Sequence, residues 1–149
     1  KKNIEQLKDK VRELKLDNLV EIRNSISSTD QKNALFSEID VFILPSEDEA
    51  DSVAIKEALA SGKPVVISKE CKFISDDKNE EFIKIINDKS AQSYYFELIK
   101  FYKKREELKN LGFKIHSYSK ENFSTDLLTK WLTVIYKDCV NHTHSLNNK

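Results

Sequence analysis

The chain has 149 residues, 39% hydrophobic and 34% charged, with 25 basic and 25 acidic side chains in balance. That length allows one domain with its own core and calls for no disulfide or metal staple. A formal charge of zero gives no whole-molecule attraction for nucleic acid, and no stretch reaches the ~18–20 apolar residues of a transmembrane helix, so partners are to be sought in local sites.

In chain order, Ile4, Leu7, Val11 and Leu14 recur at helical spacing. The stretch LDNLVEIRNSI that follows, with Asp17-Asn18 and then β-branched residues, predicts a turn into a strand. Thr29 or Asp30 can cap a second helix, Asp30 to Glu38, with Ala34, Leu35 and Ile39 on one face. Val41 to Leu44 and Pro64 to Ser68 are continuous apolar runs, the pattern of strands covered on both faces. Between them Asp51 or Ser52 can cap a helix that Gly62 and Pro64 stop. On a helical wheel Ile55, Ala58, Leu59 and Gly62 share one face, small enough to lie close on a sheet.

Glu81 to Ile85 supplies a further strand, and Ala91 to Lys109, Leu111 to Glu121 and Thr125 to Cys139 read as helices. The aromatic run Tyr94, Tyr95, Phe96, Phe101 and Tyr102 has the helical spacing of a packed core. The order predicts an α/β domain with a parallel sheet flanked by helices and a helical C-terminal end over residues 1–140, followed by a flexible tail at 141–149. In such sheets ligands sit beyond the carboxyl ends of the strands, which directs attention to the segment after Leu44.

Chemistry outside that segment is sparse. Cys71 and Cys139 lack metal or redox spacing, as suits a reducing cytosol, and the start KKNIEQLKDK lacks the apolar stretch of an export signal. His142 and His144 alternate in a polar tail without further ligands, and His116 has no visible partner. No metal site is expected.

The stretch PSEDEADSVAIKEALASGKPVVIS, from Pro45 to Ser68, contains a Glu-x7-Glu pair, Glu49 and Glu57, between two buried runs. It resembles the signature segment of retaining glycosyltransferases of the large group 1 family (family 4) that includes sucrose and glycogen synthases. KNALFSEIDVFILPS before it and ENFSTDLLTKWLTVIY after it agree in order, so the resemblance spans roughly residues 5 to 137.

The resemblance implies the Rossmann-like C-terminal half of a two-domain GT-B fold, here N-terminally truncated. It implies that Glu57 accepts hydrogen bonds from the ribose of a nucleotide-diphosphate sugar and that Glu49, the catalytic candidate, lies near the donor sugar. The amides of Ala50, Asp51, Ser52 and Val53 would face the diphosphate, where open N–H groups and the helix dipole favour negative charge.

The implied activity is hexosyl transfer from that donor to a glycan or lipid-linked acceptor, as in polysaccharide biosynthesis, with no cofactor and no metal. A missing N-terminal domain would bring the acceptor, so the chain alone is expected to transfer little. The implied location is cytoplasmic, with peripheral association at the inner face of the membrane for the full-length protein. Where the family carries Gly-Phe-Gly or a close variant after the first glutamate, this chain has Ala50-Asp51-Ser52. The alternative is therefore a Rossmann-like binding module that has lost donor chemistry.

Overall fold

The computed structural model describes residues 2–73, 79 and 81–146, with the side chains of residues 2, 3 and 138–146 outside the description. The chain divides into two compact units, residues 1–32 and 33–149.

In the first unit, helix α1 (Lys2–Glu13) carries the expected spacing of Ile4, Leu7 and Val11. It ends where Lys15 takes a left-handed φ of 56°. The Lys15 N–H then bonds the Arg12 carbonyl at 2.9 Å and the Leu16 N–H bonds the Val11 carbonyl at 3.0 Å. This paired closure satisfies carbonyls that the helix end would otherwise leave open. A turn follows at residues 17–19 as predicted, but the predicted strand does not form: residues 20–27 make no ladder. Its β-branched residues report only a local preference that a partner strand must convert into structure.

Helix α2 (Thr29–Glu38) begins one residue earlier than the predicted Asp30, because Ser28 supplies the cap: its Oγ accepts from the Gln31 N–H at 3.2 Å.

In the second unit, strands β1 (Phe42–Leu44), β2 (Val65–Ser68) and β3 (Ile83–Ile86) form a parallel sheet in the order β1-β2-β3. Phe42 aligns with Val65, which aligns with Ile83. All of β2 is buried, as its unbroken apolar run requires for a central strand covered on both faces. The α/β reading with a parallel sheet and helices at the C-terminal end is what the fold shows.

Helix α3 (Val53–Ala60) crosses from β1 to β2. Ile55, Ala58 and Leu59 are fully buried, as the wheel predicts. They join Val65, Ile67, Phe82 and Ile115 in the main core cluster. The opposite side of the sheet is covered by helix α4 (Ala91–Lys103), whose Tyr94, Leu98 and Phe101 pack with Val66 and Ile86 in a second cluster.

The aromatic run on α4 therefore splits. Phe101 is buried and Tyr94 half-buried, but Tyr95, Phe96 and Tyr102 are exposed. Positions 94, 98 and 101 share the inward stripe of a helix, and the others rotate away from it.

Helices α5 (Arg105–Phe123) and α6 (Thr125–Leu146) close the chain. The first begins before the predicted Leu111, since only Lys104 separates it from α4. Of the segment expected to be a tail, residues 147–149 and the side chains of His142 and His144 lie outside the described residues, and the backbone of α6 continues to Leu146.

The chain has two glycines, and they meet. Gly62 stands just past α3 with φ +72°, where its N–H bonds Leu59 and the next N–H, of Lys63, reaches back to Ala58. A Cβ built on Gly62 would lie 2.8 Å from the Gly112 carbonyl oxygen, whereas one built on Gly112 would lie 3.6 Å from the Gly62 oxygen. The first is a collision with α5 backbone; the second is ordinary contact.

Gly62→Ala therefore carries a left-handed alanine, costing roughly 1–2 kcal/mol, plus the displacement of a helix. Gly112→Ala removes a helix-interior glycine and gains up to about 1 kcal/mol. Urea unfolding should show a large loss of midpoint for the first and none for the second. Equal losses would mean that the two helices do not approach as described.

Candidate functional site

Because the strands are parallel, the segments after Leu44, Ser68 and Ile86 emerge at one edge of the sheet. This rim is held by polar contacts. The Ser68 hydroxyl, on a residue 4% exposed, donates to the Ser46 carbonyl at 2.6 Å. The buried Cys71 thiol donates to the Leu44 carbonyl at 3.7 Å and lies 3.5 Å from the Ser68 hydroxyl. The Glu49 N–H donates to the Glu70 carbonyl at 3.2 Å.

From α4, the Tyr94 phenol reaches the same place. Burial pushes its pKa up, its hydrogen bond with Ser68 acts in the opposite direction, and the neighbouring Cys71, Glu70 and Asp88 add to the rise. The loop between β1 and α3 is thus fastened to the end of β2 and the short 3-10 turn Lys69–Cys71 that follows it.

The site residues predicted from the sequence lie along this loop and the helix it enters. Glu49 is half-buried, Ala50 and Asp51 are exposed, Ser52 is buried at 6% and Val53 is exposed. Glu57 is half-buried and has an interaction within the protein. Val53, Lys56 and Glu57 fall at the i, i+3, i+4 spacing of one α3 face, while Ile55, Ala58 and Leu59 turn inward. Glu57 therefore shares a helix face with Val53, one of the four predicted amide-bearing residues.

Two local details differ from expectation. Ser52 occupies the N-cap position with extended backbone but its side chain makes no cap hydrogen bond. Asp51, the other capping candidate, turns to Lys56, whose Nζ lies 2.6 Å from Oδ1 and 2.7 Å from Oδ2. Side chains on a helix lean toward its N-terminus, so a lysine one turn in can reach back to a carboxylate just ahead of the cap. Its Nζ also stands 5.8 Å from the Phe123 ring centroid, a ring packed on Phe73 and Tyr118.

Lys56 also lines an open hollow of about 290 Å³ with Phe123, Leu127 and Trp131. In the acidic run that precedes the helix, Asp48 is paired with Lys72 at 3.2 Å, both exposed.

Ser68, Cys71, Tyr94 and Lys56 were not predicted as site residues. Ser68 and Tyr94 belong to stretches whose apolar pattern assigns them to strand and core, and nothing local marks their hydroxyls as meeting. His116, unpartnered in the sequence reading, holds the other end of α3: its Nδ1 is 2.6 Å from the Ala60 carbonyl, which can only accept, so Nδ1 carries the proton.

Removing the Ser68 hydroxyl leaves a carbonyl at the rim without that donor. Ser68→Ala should destabilise the protein by about 1–3 kcal/mol in denaturant titration. No change would mean that the Ser46 carbonyl is satisfied by solvent.

At the third strand end, the Asp88 carboxylate accepts from the Ser90 N–H at 2.8 Å and the Ser93 hydroxyl at 2.7 Å. Side-chain hydrogen bonding to Ser90, then to Ser93, holds its pKa below the ordinary value. A depressed carboxylate contributes stability that is complete above its unfolded pKa of about 3.9 and fades as pH falls through the folded value. The stability gap between wild type and Asp88→Asn should therefore close as pH drops below about 4, and a gap that widened on acidification would contradict the arrangement.

Among the described residues no helix is long and apolar enough to cross a membrane. Comparison with curated proteins and with solved structures gives no match. The family described as Glycosyl transferases group 1 matches residues 1–116, which takes in the sheet, the rim loop and most of α5. The strand-helix-strand crossover with its glutamates is thus part of a recognised whole, and the chain belongs to the group 1 glycosyltransferases.

Proposed function

We propose that this chain is the donor-binding part of a retaining glycosyltransferase, taking a nucleotide-diphosphate sugar at the amide end of α3. The observation that carries the reading is the β1-α3-β2 crossover inside a group 1 glycosyltransferase match, with its N-cap Ser52 making no side-chain cap bond. Four N–H groups at a helix start lack intrahelical partners, and the helix dipole adds about half a positive charge there. A diphosphate satisfies both.

In this reading the amides of Ala50 to Val53 bind the phosphates. The Glu57 carboxylate, on the α3 face that carries Val53, accepts from the ribose hydroxyls. Glu49 stands near the sugar. As the glycosidic bond breaks, negative charge grows on the leaving diphosphate. Fixed amides aimed at it lower the barrier without reorganising.

The fastening of the loop by Ser68, Cys71 and Glu70 supports such a role, because a donor group helps catalysis only when held in place beforehand. The acceptor, a glycan or lipid-linked sugar, comes with a separate domain, and the reaction needs no metal.

Titration with uridine, guanosine and adenosine diphosphates tests the reading. One of them should bind with amide shifts concentrated at Ala50 to Glu57, and Glu57→Ala should weaken it by about tenfold or more, the equivalent of losing one to two hydrogen bonds from a charged acceptor. Shifts confined to other parts of the chain would remove the site from this helix.

A further inference from the structure

An anion site beside a carboxylate raises a conflict, since Asp51 stands immediately before the N-cap of the helix proposed to hold a diphosphate. Left alone, an aspartate here has two favourable options: to cap the open amides itself or to sit against the positive end of the dipole. Either one competes with an anionic ligand.

The structure shows a third outcome. Both Asp51 oxygens lie within ion-pair distance of Lys56 Nζ, at 2.6 and 2.7 Å. A lysine in the first turn of a helix is unfavourable to the dipole, so its presence there calls for a compensating partner. The compensation is mutual.

Lys56 is also fixed from the other side. Its side chain is 33% exposed against 70% for Asp51, and its ammonium faces Phe123. Phe123 is in turn wedged by Phe73 and Tyr118 at 5.6 and 5.8 Å. The lysine is the held member of the pair and the aspartate the steered one.

Resting on the donor-binding reading above, we propose that Lys56 is a positioning residue for the anionic donor, acting through Asp51. It draws the carboxylate off the α3 amides and cancels its charge, so that a chain without the family's glycines at this turn can still admit a diphosphate. Lys56 does not itself touch the ligand in this scheme.

A double-mutant cycle tests it on the whole chain, with uridine, guanosine and adenosine diphosphates as probes and the three uncharged nucleosides as controls. Lys56→Met should weaken diphosphate binding roughly tenfold at low salt, with the loss shrinking as salt screens the freed carboxylate. Asp51→Asn should bind more tightly than wild type. In the Asp51→Asn background Lys56→Met should weaken binding far less than it does in wild type, because the lysine has no carboxylate left to restrain. Lys56→Arg should restore binding, and nucleoside affinity should not move in any variant.

The proposal is overturned if Lys56→Met weakens binding equally in the Asp51→Asn background, which would make the lysine a direct phosphate ligand. It is overturned too if Lys56→Met binds diphosphate like wild type. Circular dichroism melts of each variant separate a folding defect from these outcomes, and a variant pair that melts early while nucleosides and diphosphates weaken together would assign Lys56 a structural role only. If no diphosphate binds wild type or Asp51→Asn, the donor-binding reading falls and this inference with it.

Discussion

The contact that the second unit depends on is the meeting of two stretches of bare backbone, Gly62 behind α3 and Gly112 within α5. The left-handed Gly62 ends α3 and turns the chain into β2, and it does so against the carbonyl of Gly112 with no room for a methyl group. Close seating of the two helices lets Ile55, Leu59 and Ile115 reach zero exposure together. Burial of that kind is the main source of folding free energy. Since α3 carries every predicted site residue from Val53 onward, the glycine contact at one end sets the position of the amide end at the other, about 12 Å away at 1.5 Å per residue for an eight-residue helix.

At the far end the constraint is polar. Ser68, Cys71 and the Glu70 carbonyl each hold a different point of the loop between Leu44 and Glu49. A loop at a sheet edge is ordinarily mobile on its own account. Here its first half is tied to β2, and its second half is the entry to a helix packed in the core. The rim is therefore fastened where we propose that a ligand meets it, and its fastenings are hydroxyl, thiol and backbone groups that carry no net charge.

The sequence reveals those features that depend on local periodicity. The continuous apolar runs at 41–44 and 64–68 become parallel strands, the Ile55-Ala58-Leu59 stripe becomes the buried face of α3, and the helical end of the chain is recovered with shifted boundaries. It misleads where structure requires a partner. Residues 20–27 have strand composition but no ladder, and three of five aromatics on α4 face outward because a helix has only one inward stripe. The site shows the same division. Glu49 to Glu57 could be put forward from the sequence because the motif is contiguous. Ser68, Tyr94 and Phe123, which brace the loop or its lysine, come from segments that meet only on folding.

In the proposed scheme the Asp51-Lys56 pair lets a motif lose its usual small residues and still leave its amides open. Glycine before a helix start leaves the amides bare because it has no side chain to place there. A charged residue can achieve the same result only if something else claims it, and the claimant must be anchored more firmly than the charge it restrains. Lys56, with its half-buried side chain and its ring contact, meets that condition. A surface ion pair of this type contributes little to stability, at most about 1 kcal/mol. Its influence falls instead on the local potential at the amide end, where a charge a few ångströms away can favour or oppose an anion by more than the pair contributes to folding.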